Sequence, residues 1–166
     1  MSKSNFPLEK ETEIRALAFD YLARQECTQK QLRDKLLRRT EQVELVEKVL
    51  KQLVDDGYQS DQRFTEIYVR QKSESGQGAI KIIFDLKRKG VDEQLIKRCL
   101  ASQESDPKQL ALEYLRRKFG LVAARDQKEK AKWMRHMAGR GFGFDEISFA
   151  LRYQQQDPDE WLWTKF

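Results

Sequence analysis

The chain has 166 residues, of which 36% are charged and 39% apolar, with a formal net charge of +5 at pH 7. No apolar run reaches the length of a membrane span or a signal-peptide core, so we expect a cytoplasmic protein without membrane contact. Two isolated cysteines suit a reducing compartment, and the abundance of Glu, Lys, Leu, Gln and Arg with only three prolines predicts an all-α fold.

The first predicted unit occupies residues 1–57 and contains three helices. An apolar stripe with helical spacing starts at Ile14. Thr28 followed by Gln31 is a capping-box pattern that predicts the start of the second helix. The third helix is expected to end before Gly57, because glycine readily adopts the left-handed conformation that follows a helix.

The second predicted unit, 58–105, repeats this plan. Ser60 or Asp61 is expected to cap its first helix. A Ser/Gly-rich loop at 73–78 separates that helix from the next, which is predicted to end at Gly90.

The third predicted unit, 106–166, opens with Asp106 as the N-cap and Pro107 at the first helical position. Its final segment carries three large aromatic side chains, which either fold back over the unit or form an anchor for a partner. These aromatic residues are Trp161, Trp163 and Phe166.

The three units repeat one another at a spacing of about fifty residues, a period typical of stacked helical repeats. A four-residue motif starts at Tyr21, Tyr68 and Tyr114, and the apolar positions around it also correspond. The pattern predicts nine helices in three tandem three-helix repeats, stacked into an elongated rod, straight or curved. The repeated tyrosines are interpreted as core residues with their hydroxyls at a polar rim.

No catalytic, metal or cofactor site is predicted, and the chain is not expected to be an enzyme. His136 is the only histidine, so histidine-based metal clusters and catalytic triads lack residues. The glycine-rich segment 139–143 follows no predicted strand, which excludes a phosphate-binding loop and indicates a turn after a helix.

Positive charge is concentrated in residues 108–140, which contain ten basic and three acidic side chains, a net +7. Such a segment indicates an anionic partner. A solvated helix face that binds nothing remains the alternative.

Several segments taken together resemble the RecX family, bacterial regulators of the RecA recombinase, over nearly the whole chain. The middle repeat carries most of the resemblance: a Gly-Tyr turn, an acidic cap, Arg-Phe, and a basic helix that ends in Lys-Gly. The matching segments are 56–64, 68–70, 78–90 and 140–142.

The resemblance implies a monomeric modulator of DNA repair and the SOS response. It would bind the filament of RecA on single-stranded DNA and inhibit ATPase activity, filament extension and strand exchange. Cations of the second and third repeats would face recombinase carboxylates or DNA phosphates. The candidates are Arg70, Lys72, Lys81, Lys87, Arg88, Lys89, Arg116, Arg117, Lys132, Arg135 and Arg140. Two alternatives stay open: a stand-alone nucleic-acid-binding protein, and a helical scaffold for peptides.

Overall fold

The computed structural model describes residues 7–155. This range contains nine α-helices and no strand, which confirms the all-α prediction. The predicted aromatic tail lies outside the described residues. The helices are α1 (Glu11–Arg24), α2 (Gln29–Leu37), α3 (Val43–Asp55), α4 (Asp61–Glu74), α5 (Ala79–Arg88), α6 (Glu93–Ala101), α7 (Pro107–Phe119), α8 (Gln127–Gly139) and α9 (Phe144–Tyr153).

Three predicted helix starts are confirmed by their capping hydrogen bonds. The backbone N–H of Gln31 donates to the Thr28 hydroxyl, and that of Thr28 donates to the Gln31 side chain, both at 3.1 Å. Asp106 accepts from the backbone N–H of Lys108 at 2.9 Å. Ser60 caps α4 by accepting from the N–H of Arg63 at 3.1 Å. Each cap satisfies a donor that the helix leaves unpaired.

The described chain divides into two compact units, and the first comprises Met1–Ile67 with Leu86–Cys99. The predicted apolar stripes form its core, where eight side chains of α1, α2 and α3 are at most 1% exposed. These residues are Ile14, Ala18, Leu32, Leu36, Val46, Val49, Leu50 and Leu53.

Arg63, part of the Arg-Phe motif, links separate segments of the first unit. Its Nε donates to Oε1 of Glu26 at 2.6 Å, and its Nη2 donates to the carbonyl of Tyr58 at 3.0 Å. The guanidinium can hold a carboxylate and a carbonyl together because its donors are arranged in a rigid fork. This motif residue therefore has a structural role.

The second compact unit comprises Tyr68–Asp85 with Leu100–Phe166. In its described part, α7 packs extensively on α9 and α8 also contacts α9. The core again follows the predicted stripes, with Leu115 of α7, Met137 of α8 and Ala150 of α9 all at 0% exposure.

Compact units and sequence repeats are different divisions of a chain. The boundary between the two units falls within α4, α5 and α6. The repeat boundaries after residues 57 and 105 therefore stay a prediction. Among residues 7–155, no helix combines the length and the apolar character that a membrane span requires.

Candidate partner-binding surface

Eight of the eleven predicted cations belong to the second unit and three to the first. Among those of the second unit, Arg117 is exposed beside an aromatic ring, and Arg70, Lys132 and Arg135 are exposed as well. Within the described part of the chain, the last three form no hydrogen bond or ion pair. An unpaired exposed cation can meet an anionic partner without first breaking an internal contact, so these three suit binding best.

Lys72 and Arg117 each lie over a tyrosine ring. Lys72 Nζ is 5.4 Å from the ring centre of Tyr68, and the Arg117 guanidinium is 5.6 Å from that of Tyr114. A cation over a ring face at this distance is attracted electrostatically. Arg117 nevertheless remains exposed, whereas Lys72 is half-buried.

The basic end of α5 in the first unit is partly neutralised. Lys87 Nζ lies 2.9 Å from Oε2 of Glu93, which also pairs with Lys97 at 3.1 Å. These hydrogen bonds, the one with Lys87 foremost, lower the pKa of Glu93. Arg88 is exposed and Lys89 is half-buried, and Lys87 is exposed although it pairs with Glu93.

Arg116 closes the end of α9. Its Nη2 donates to the carbonyl of Tyr153 at 2.9 Å, and its Nε donates to that of Gln154 at 3.2 Å. Carbonyls at a helix C-terminus lack intrahelical partners, and Arg116 provides the hydrogen-bond donors for two of them. The structure places Arg116 in a structural role, although its charge alone suggested partner binding.

Arg140 likewise holds the second unit together. Its Nε and Nη2 donate to the carbonyls of Gly76 and Ser75, both at 2.9 Å. Its guanidinium also lies 5.3 Å from the ring centre of Tyr114. The structure thus brings Arg117 and Arg140 together on one aromatic ring.

The glycine-rich turn after α8 joins the start of α5. Gly78 N–H donates to the carbonyl of Arg140 at 2.9 Å, and Ile80 N–H donates to that of Gly141 at 3.1 Å. Free donors of one helix therefore meet free acceptors of another. Lys81 is half-buried beside this contact. The segment serves as a turn and a helix junction, as the sequence indicated.

His136 is held by aromatic residues. Its Nε2 is 2.8 Å from the Tyr114 hydroxyl, and its ring stacks on that of Tyr114 with the centres 5.9 Å apart. Burial lowers the pKa of His136, with further lowering by the charges of Lys118 and Arg140. A neutral imidazole whose Nε2 accepts a hydrogen bond from the Tyr114 hydroxyl fits this environment. In the described range, no group of three acidic, histidine or cysteine side chains could hold a metal ion.

Sequence reasoning missed an exposed apolar pair on α5. Ile80 is 61% exposed and Phe84 is 60% exposed, and their spacing of four places them on the same helix face. The predicted stripe instead used Ile82 and Leu86, which are indeed buried. The only signal for the pair was that α5 is apolar on more than one face.

Comparison with known proteins identifies the family. Residues 60–100 match the family model of the second RecX three-helix domain, and residues 104–151 match that of the third. The regulatory protein RecX of Neisseria meningitidis serogroup C is 39% identical over 140 residues, covering 84% of this chain and 90% of that relative. The serogroup B protein is 38% identical over 144 residues, covering 87% and 92%.

The fold agrees with this comparison. The crystal structure of RecX from Lactobacillus salivarius matches with a TM-score of 0.72 and 21% identity, over 89% of this chain and 97% of that one. This chain therefore belongs to the RecX family of regulatory proteins.

Proposed function

We propose that this chain regulates RecA by binding the filament that the recombinase forms on single-stranded DNA. Binding would suppress ATPase activity, filament extension and strand exchange, and so control DNA repair and recombination. The observation that carries the proposal is membership of a family whose relatives are named regulatory proteins. The protein would act in the cytoplasm as a monomer and by binding, without a catalytic residue or cofactor.

The surface of α5 supports a protein partner. Ile80 and Phe84 are exposed on one face, and Lys81 follows Ile80 directly. Protein interfaces combine apolar anchors with a polar rim. We therefore assign the apolar pair to a recombinase contact and the unpaired cations Lys132 and Arg135 to carboxylates or DNA phosphates.

Inhibition would follow from contacts with successive recombinase protomers. Repeated helical units offer similar surfaces more than once along the chain, and several weak contacts add to useful avidity. A protein that bridges neighbouring protomers would oppose the motions coupled to nucleotide turnover. It would also hinder the addition of further protomers.

The test is co-sedimentation with RecA filaments and, separately, with bare single-stranded DNA at two salt concentrations. We expect tighter binding to the filament. Replacing both Ile80 and Phe84 by serine should weaken that binding about tenfold or more, as loss of an interface anchor does. The matched control replaces Leu121 and Val122, which are 58% and 72% exposed, and should bind normally.

Equal affinity for bare DNA and for the filament would contradict the proposal. It would instead favour a stand-alone nucleic-acid-binding protein. In that case the logarithm of affinity should fall with the logarithm of salt concentration, with a slope of about −0.7 per contacted phosphate.

A further inference from the structure

An open groove runs between α8 and α9 and has a volume of about 530 Å³. One wall is a stripe of α8 and the other a stripe of α9, each with the i, i+3 or i+4, i+7 spacing of a single helix face. The lining residues are Gln127, Lys130, Ala131, Met134, Phe144, Ser148, Leu151 and Arg152.

The lining has a definite chemistry. Four of the eight residues are apolar, and Phe144 is 73% exposed. Two are cations, Lys130 and Arg152, and none of the lining residues within 7–155 carries a carboxylate. A ligand for this groove should therefore bring apolar rings together with negative charge.

The segment that follows α9 has this composition. Residues 156–166 contain three aromatic rings and a leucine, together with the carboxylates of Asp157, Asp159 and Glu160. The segment begins four residues beyond Arg152, just after the helix that forms one wall. Eleven residues can span about 36 Å when extended, whereas the ten residues of α9 span only about 15 Å.

We propose that residues 156–166 bind in the α8–α9 groove of their own chain. Their aromatic rings would cover Met134, Phe144 and Leu151, and their carboxylates would face Lys130 and Arg152. The segment would then be an internal ligand, which an acidic and aromatic segment of a partner must displace. This inference is independent of the proposed action on RecA.

The test uses the full chain with a nitroxide spin label on a Thr164→Cys variant. Cys27 and Cys99 are only 2% and 6% exposed, so the label should attach selectively to the new thiol. In NMR spectra of isotope-labelled protein, we expect the nitroxide to broaden the signals of Met134 and Leu151. Reducing the nitroxide should restore these signals.

The test variant reverses the two charges that line the groove, and the control variant reverses two nearby charges outside it. Lys130→Glu with Arg152→Glu should cut the broadening by about threefold or more, because attraction becomes repulsion. Lys128→Glu with Lys132→Glu changes the same net charge on exposed residues outside the groove lining, and should leave the broadening intact.

Two outcomes would overturn the proposal. Unbroadened Met134 and Leu151 signals at low salt would show that the segment does not occupy the groove. Broadening in a mixture of spin-labelled chains and isotope-labelled chains that carry no spin label would show that it binds a second copy instead.

Discussion

Gly78 and Gly141 meet backbone to backbone, so closely that a Cβ atom at position 78 would lie 2.2 Å from the carbonyl oxygen of Gly141. The approach lets the Gly78 N–H donate to the carbonyl of Arg140 at 2.9 Å. A side chain at position 78 would separate these groups. The contact joins the start of α5 to the turn that follows α8.

The first unit contains the corresponding contact about fifty residues earlier in the sequence repeat. The hydroxyl of Thr28, just before α2, donates to the carbonyl of Lys89 at 2.6 Å. Gly90 lies against the side chain of Lys30, where a Cβ atom would be only 2.5 Å away. In both units, therefore, the start of a helix in one repeat contacts the turn that follows a helix in the next repeat.

Gly141→Ala should lower the free energy of unfolding by about 2–3 kcal/mol, as strained backbone positions do. Gly141 has φ +91°, and its added methyl would lie 2.6 Å from the backbone nitrogen of Lys81. Urea unfolding followed by circular dichroism measures the change. Gly139→Ala is the control, since nothing lies within 4 Å of its Cβ position. A neutral Gly141→Ala variant would show that the junction can open without cost.

Arg140→Ala should destabilise the protein by about 1–3 kcal/mol, because the carbonyls of Ser75 and Gly76 lose charged donors. Arg135→Ala should change stability by less than about 0.5 kcal/mol, as expected for an exposed residue without partners. Thermal unfolding of both variants gives the comparison. Equal stability of the two would contradict the structural role of Arg140.

Acidification should weaken the fold through His136. Its pKa is lowered in the folded protein, so the unfolded chain takes up the proton more readily. The contribution of neutral His136 to the free energy of unfolding is complete above the pKa of the unfolded chain, about 6.5. This contribution is lost as the pH falls below that value. NMR titration of this single imidazole, with urea unfolding at several pH values, measures both quantities.

His136→Gln is the control for the pH experiment, because it removes the titrating group and should flatten this part of the pH dependence. A folded-state pKa at or above the ordinary histidine value would contradict the prediction. It would mean that burial and the neighbouring charges of Lys118 and Arg140 do not favour the neutral ring.

Reversal of the basic end of α5 should relieve inhibition of the RecA ATPase. Replacing Lys87, Arg88 and Lys89 by glutamate should raise the half-inhibitory concentration by about tenfold, since exposed charge pairs contribute about 0.2–1 kcal/mol each. Helicity, measured by circular dichroism, should stay unchanged. The matched control reverses three exposed cations of the first unit, Arg24, Arg38 and Lys51. The control variant should inhibit normally. If the variant of Lys87, Arg88 and Lys89 also inhibits normally, those three residues do not contact the filament.

Two substitutions of Tyr68 distinguish the contribution of packing to stability from that of hydrogen bonding. The ring is half-buried, and its hydroxyl lies 3.4 Å from Oδ2 of Asp85, a long contact. We expect Tyr68→Ala to cost about 2–3 kcal/mol through lost packing, and Tyr68→Phe less than about 0.5 kcal/mol. Chemical denaturation of both variants provides the measurement. A larger loss in the phenylalanine variant would assign the stability to the hydroxyl.

The helices and much of the core could be predicted from the sequence because they depend on neighbours along the chain. Thr28 caps α2 through a residue three positions away, and Asp106 caps α7 through one two positions away. The buried stripe that includes Leu32 and Leu36 follows the helical period. Resemblance in the middle repeat also led to the family.

The roles of individual cations required the tertiary structure. Arg116 reaches a carbonyl 38 positions away and Arg140 one 64 positions away, and nothing in the local sequence distinguishes them from exposed Arg135. The outward position of Ile80 and Phe84 likewise depends on which face of α5 its neighbours cover. Local spacing therefore determines where a helix forms, whereas contacts between distant segments decide which of its side chains remain available to a partner.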